Sequence, residues 1–158
     1  MPHVIDGYNL LRAIQRSDEA FESLKEVGLC RILSQYLGDI RDHGHIIFDG
    51  IGPPDKSELG GIKDLEVYFS GEDVEADDLV IERIQENTAP RKLVVVSSDR
   101  KLRTAAARRK AVPVRSELFW IGLMQRLGRD KPTPEPPEKR HGITEMEADE
   151  WLRYFDIE

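Results

Sequence analysis

The chain has 158 residues, 39% hydrophobic and 34% charged, with a formal net charge of -7 at pH 7. That length suits one domain with a sizeable core and a tail, and the acidic balance taken alone argues against a nucleic-acid partner. A lone cysteine, Cys30, excludes an internal disulfide framework, and no stretch approaches the roughly 20 apolar residues of a membrane helix.

The elements follow in order. "HVID", ending at Asp6, reads as a short strand. A helical region is expected from Leu10 to Arg41, broken near Ser17 and Asp18, with Cys30 as a small buried residue inside it rather than a reactive thiol. "HIIFDG" (45–50) is a second strand and "IGPPDKSELGG" has the proline and glycine content of a loop. "LEVYFS" is a third strand, followed by "GEDVEADDLVIERI" (71–84), a helix start dense in acids. "KLVVVSSD" is the most strand-like segment, because its β-branched run stands between a proline and a polar turn. A basic helix is expected over 101–110, then a short strand "AVPV" at the sheet edge, where Pro113 lacks a ladder donor. "SELFWIGLMQRL" closes the core.

Strands alternating with helices imply βα units around a parallel sheet covered on both faces. The expected organisation is one α/β domain over 1–128, a proline-rich linker over 129–143 and an amphipathic C-terminal helix over 144–158. The start of the chain shows no basic stretch or long apolar run of a targeting segment, so a cytoplasmic protein is expected.

The acids carry the functional signal. Asp6, Asp49 and Asp99 each follow a strand, while Glu75, Asp77 and Asp78 open the helix after the third. In a parallel sheet these positions share one edge, where open α/β sheets build their sites. Asp77, Val80, Ile81 and Ile84 lie on one helical face, which turns a carboxylate toward the core. Like charges this close raise one another's pKa, so protons or cations must compensate. A site of carboxylates without Cys or His suits Mg²⁺ or Mn²⁺, as one ion or two. Each acid also has an ordinary reading: Asp6 in a turn, Asp49 in an Asp-Gly turn, Asp99 as a helix N-cap.

"VIDGYNLL", "IIFDG", "VEADDLVIERI" and "VVVSSDRKL", in this order, resemble the NYN domains of the PIN-like nuclease superfamily, above all the YacP-like bacterial branch. The resemblance covers residues 2–127. It implies a three-layer α/β sandwich with parallel strand order 3-2-1-4-5. It also implies a metal-dependent nuclease acting on single-stranded or flexible RNA, ribosome-associated or structured RNA included. On this resemblance Asp6, Asp77 and Asp99 match catalytic metal ligands, and Asn9 matches a polar residue that orients the first acid or contacts the scissile phosphate. Asp49, Glu75 and Asp78 match further acids of the metal site, and Ser97 a supporting hydroxyl. Lys101 stands where related polymerase 5′-nucleases carry another acid, which leaves one-metal and two-metal readings both open.

The run from Arg100 to Arg115 contains no acid and leaves the same rim, so Arg100, Lys101 and Arg103 are candidate phosphate contacts. Lys56 and Lys63 in the loop after Asp49 are candidates to close over a strand. No histidine shows ligand spacing. The competing expectation is an RNA-binding or adaptor module that keeps the acidic pocket without cleaving. The C-terminal helix could dock on its own domain, a second copy or another protein.

Overall fold

The structure, a computed structural model, describes residues 1–130. The elements are β1 (His3–Asp6), α1 (Gly7–Ser17), α2 (Glu26–Asp39), β2 (Gly44–Phe48), β3 (Leu65–Phe69), α3 (Ala76–Glu86), β4 (Val94–Val96), α4 (Arg100–Arg108), β5 (Val112–Val114) and α5 (Ser116–Asp130). All strand pairs are parallel, in the order β3-β2-β1-β4-β5 expected from the sequence. The C-terminal helix expected over 144–158 and the linker from 131 onward lie outside the described residues, while α5 itself runs to Asp130. Among the described residues no helix is long and apolar enough to cross a membrane.

Alternation along the strands separates two cores. Ile5, Ile46, Phe48 and Val96 join the core beneath α1, α2 and α5, with Leu10, Leu33 and Trp120 among its members. Val4, Ile47 and Val95 face the other way, onto Val80 and Ile84 of α3 and Leu102 and Ala106 of α4. A sheet buried on both faces needs uninterrupted apolar strands, which is why "VVV" in β4 shows no polar alternation. The result is three layers.

Two boundaries differ from expectation and one agrees with it. Helix α1 starts at Gly7 rather than Leu10, directly at the strand end. A Cβ at position 7 would stand 2.4 Å from Phe48 Cδ1 and 2.9 Å from the Ile47 carbonyl oxygen, so glycine lets α1 leave β1 this abruptly. The long helical region divides at the expected place, where Asp18, its Oδ1 accepting from Ala20 N at 3.2 Å, caps a 3₁₀ turn at Glu19–Phe21. Strand β4 stops at Val96, because Ser97 and Asp99 enter the turn that starts α4. Pro113 does sit on an edge strand, opposite Val95.

The chain builds β1, β2 and β3 in one direction and then crosses to place β4 on the other side of β1. The switch point therefore falls between β1 and β4, and Asp6 ends one of those strands while Ser97 follows the other.

Candidate acidic cleft at the sheet edge

Asp6, Asn9, Asp49, Glu75, Asp77 and Asp99 line one open cleft of about 360 Å³, together with Tyr8, Arg12, Arg16 and Ala76. The carboxylates come from the ends of β1 and β2, the start of α3 and the turn after β4.

Asp6 is the deepest of these acids, at 8% exposure. Ser97, fully buried, donates its Oγ hydrogen to Asp6 Oδ2 at 2.8 Å, and the same Oγ accepts from Asp99 N at 3.0 Å. One hydroxyl thus joins two acid-bearing turns across the switch point. Burial pushes the Asp6 carboxyl up to about 6; the charges of Asp77 and Asp99 add to this, and the Ser97 hydroxyl opposes it. Asp77 is half-buried and also raised, first by burial and next by Asp99, with Lys101 pulling the other way.

Two acids have structural partners as well. Asp49 Oδ1 accepts from Ala76 N at 2.9 Å, which satisfies a first-turn amide of α3 and fixes the helix that carries Asp77. Asp99 is the N-cap of α4, its Oδ1 accepting from Lys101 N at 2.8 Å. The ordinary cap reading of Asp99 and its place in the cleft hold together.

The Asn9 side-chain oxygen accepts from Ser98 N at 2.9 Å and from Ser116 Oγ at 2.6 Å, so it ties α1 to the turn after β4 and to the start of α5. The side-chain hydrogen bond to Asp6 comes from Ser97 instead. Asp78 is exposed and does not line the cleft. Arg100 and Lys101 line an adjacent groove rather than the cleft. Arg103 is half-buried, with its Nε buried and without a hydrogen-bond partner among the described residues. Lys56 donates to the Pro53 carbonyl at 2.8 Å and lies over the Phe69 ring, so it braces its own loop, and Lys63 is exposed outside the cleft.

The cationic wall of the cleft is not among the sequence expectations. Tyr8, Arg12 and Arg16 stand at i, i+4 and i+8 on α1, one row of a helix. Their signal is that spacing: Arg12 and Arg16 already fall inside the helical region expected from Leu10, and the start at Gly7 adds Tyr8 to the row. The Arg12 guanidinium sits 5.5 Å from the Tyr8 ring centre, and the Tyr8 hydroxyl donates to Glu26 Oε2 at 2.8 Å.

In donor type the cleft fits a hard divalent cation: carboxylates and a carboxamide line it, without sulfur or imidazole. The raised Asp6 and Asp77 show charge in want of compensation. As they stand, however, no three acidic, histidine or cysteine side chains among the described residues are grouped closely enough to hold an ion. The fit lies in chemistry and electrostatics, and the cage is not preassembled.

Two solved structures share this fold. The Rae1 (YacP) structure from Bacillus subtilis is 20% identical, superposes with a TM-score of 0.62 and covers 99% of this chain and 92% of its own. The W164L mutant of the same protein gives 19% identity and a TM-score of 0.62, over 81% of this chain and 77% of its own. No curated protein matches the sequence. The model of the YacP-like NYN domain matches residues 3–150, nearly the whole length, and the chain belongs to that family.

Proposed function

We propose that the protein is a divalent-metal-dependent nuclease that hydrolyses phosphodiester bonds, an endoribonuclease acting on single-stranded or flexible RNA in the cytoplasm. The observation that carries this reading is the Asp6–Ser97–Asp99 linkage at the switch point, in a cleft that Asp77, Arg12 and Arg16 also line. Asp6, Asp77 and Asp99 would hold one or two Mg²⁺ or Mn²⁺ ions, with Asp49 and Glu75 beside them. A bound ion supplies Lewis acidity at a phosphate oxygen and relieves the repulsion among these acids.

The chain's own groups do the rest. Ser97 Oγ holds Asp6 Oδ2 in place. The Asp49 cap holds Asp77 at the first turn of α3, and Asn9 locks the turn that presents Asp99. Arg12 and Arg16 supply positive charge for the phosphates, and the Tyr8 ring beneath Arg12 offers a flat surface to a sugar or base.

Purified protein with Mn²⁺ should cut single-stranded RNA, and Asp6→Asn or Asp77→Asn should abolish the cut. Equal cleavage by both variants and the wild type would assign the activity to a contaminant. A second reading, RNA binding without cleavage, is favoured by the absence of a preassembled ligand group among the described residues. RNA retention with no metal-dependent product would select it.

A further inference from the structure

A groove of about 630 Å³ runs between α3 and α4, beside the acidic cleft. Ile81 and Ala105, both half-buried, give it an apolar surface. Arg100, Lys101, Arg108 and Arg109 line it, and no carboxylate does. Among the described residues none of these four cations forms an ion pair. Arg109 is partly engaged, since its Nη2 donates to the Asn87 carbonyl at 2.7 Å and pins α4 to the end of α3.

The groove continues the cleft. Asp77, Ile81 and Gln85 form one row of α3, so the floor of the groove begins one turn beyond an acid of the cleft. Lys101 at the groove's near end is close enough for its charge to act on Asp77. In a chain of net charge -7, an acid-free cationic channel opening onto the carboxylates is a local reversal of the field.

We propose that this groove holds the part of a single nucleic-acid strand that flanks the phosphate in the acidic cleft, its backbone on the four cations and a sugar or base against Ile81 and Ala105. The assignment rests on the reading of the cleft as a phosphodiester site, but strand binding is measurable without cleavage. Charge complementarity names the occupant, and the aliphatic floor suits the apolar faces of nucleotides.

The test is anisotropy of a fluorescein-labelled RNA strand of about 12 nucleotides, in EDTA so that nothing is cut. The variant Thr104→Glu/Arg108→Glu places two acids at exposed groove positions. Its affinity should fall by about tenfold or more, with a shallower salt dependence. The control Arg91→Glu/Lys92→Glu removes more positive charge at the opposite edge of the sheet and should fall by less than about threefold. Equal weakening in both variants, or strand binding unchanged by the groove variant, overturns the proposal. So does a groove variant that keeps the strand but no longer binds a poly-glutamate peptide, which would give the groove to an acidic polypeptide. If strand binding depends on the groove while no form of the protein cleaves, the groove stands and the nuclease reading falls.

Discussion

Ser97 Oγ donates to Asp6 Oδ2 at 2.8 Å although 91 positions separate the two residues in the chain. The hydrogen bond spans the gap between β1 and β4, so it exists only once the crossover has closed. A hydroxyl donating to a carboxylate favours the charged form. Removing it in Ser97→Ala should raise Asp6 above its already elevated value of about 6. The acid limb of metal-dependent cleavage should then move to higher pH, by about one unit if the bond contributes the ~1.5 kcal/mol of a charge-assisted hydrogen bond. A rate profile whose acid limb stays in place would show that Ser97 does not set the ionisation of Asp6.

Asp6 makes the fold pay for the site at neutral pH. Its folded value of about 6 lies above the ordinary 3.8, so the native state binds this proton more tightly than the unfolded chain. Stability from this group is therefore full below about pH 4 and lost as pH rises through about 6, a difference of about 3 kcal/mol. In metal-free protein, Asp6→Asn should be more stable than the wild type at pH 7.5, and the gap should close at pH 4. Added Mg²⁺ should raise the wild-type Tm at pH 7.5 and leave the variant nearly unmoved. Parallel pH curves for the two proteins would show that Asp6 is not strained by its burial.

The sheet order and the convergence of acids are legible in the sequence because strand ends in a parallel sheet share an edge, whatever the loops do. Asp6, Asp49, Asp77 and Asp99 can thus be placed in one cleft from their positions relative to the strands. What the sequence hides is direction. Asp78 adjoins Asp77 but points about 100° away around α3, and only the packing of Val80 and Ile84 decides which of the two meets the cleft. Lys56 reads as available because its loop carries glycines and prolines, yet it is drawn onto the Pro53 carbonyl and Phe69. Arg12 and Arg16 fall inside the helical region expected from Leu10, but which way their row faces depends on how α1 leaves β1. Gly7 sets that exit, since its missing Cβ permits a close approach no pattern rule anticipates.

Asn9 has a structural role that separates it from the acids. Asn9→Ala leaves Ser98 N and the buried Ser116 Oγ without their acceptor, and should lower stability by about 1–3 kcal/mol. Asn9→Asp keeps an acceptor in the same place and should retain most of that stability, while adding a charge near Asp6. Thermal melts of the two variants check this directly. A fully stable Asn9→Ala protein would mean that these bonds contribute nothing net and that Asn9 serves the substrate alone.

Arg12 and Arg16 line the cleft from α1, which packs on the other face of the sheet from α3, and that helix contributes none of the candidate metal ligands beyond the turn at Asp6. Both are exposed, so their neutralisation should leave the fold intact. A group that holds the substrate backbone equally in ground and transition states changes KM and not kcat. Arg12→Gln and Arg16→Gln should therefore raise KM for RNA at fixed Mn²⁺ with little change in kcat. Each should also flatten the dependence of log affinity on log salt by about 0.7, as expected when one phosphate of a single strand is no longer neutralised. If kcat falls while KM and the salt slope hold, the arginines act on the transition state, and their place is beside the scissile phosphate rather than along the strand. That outcome would move the reacting centre toward α1.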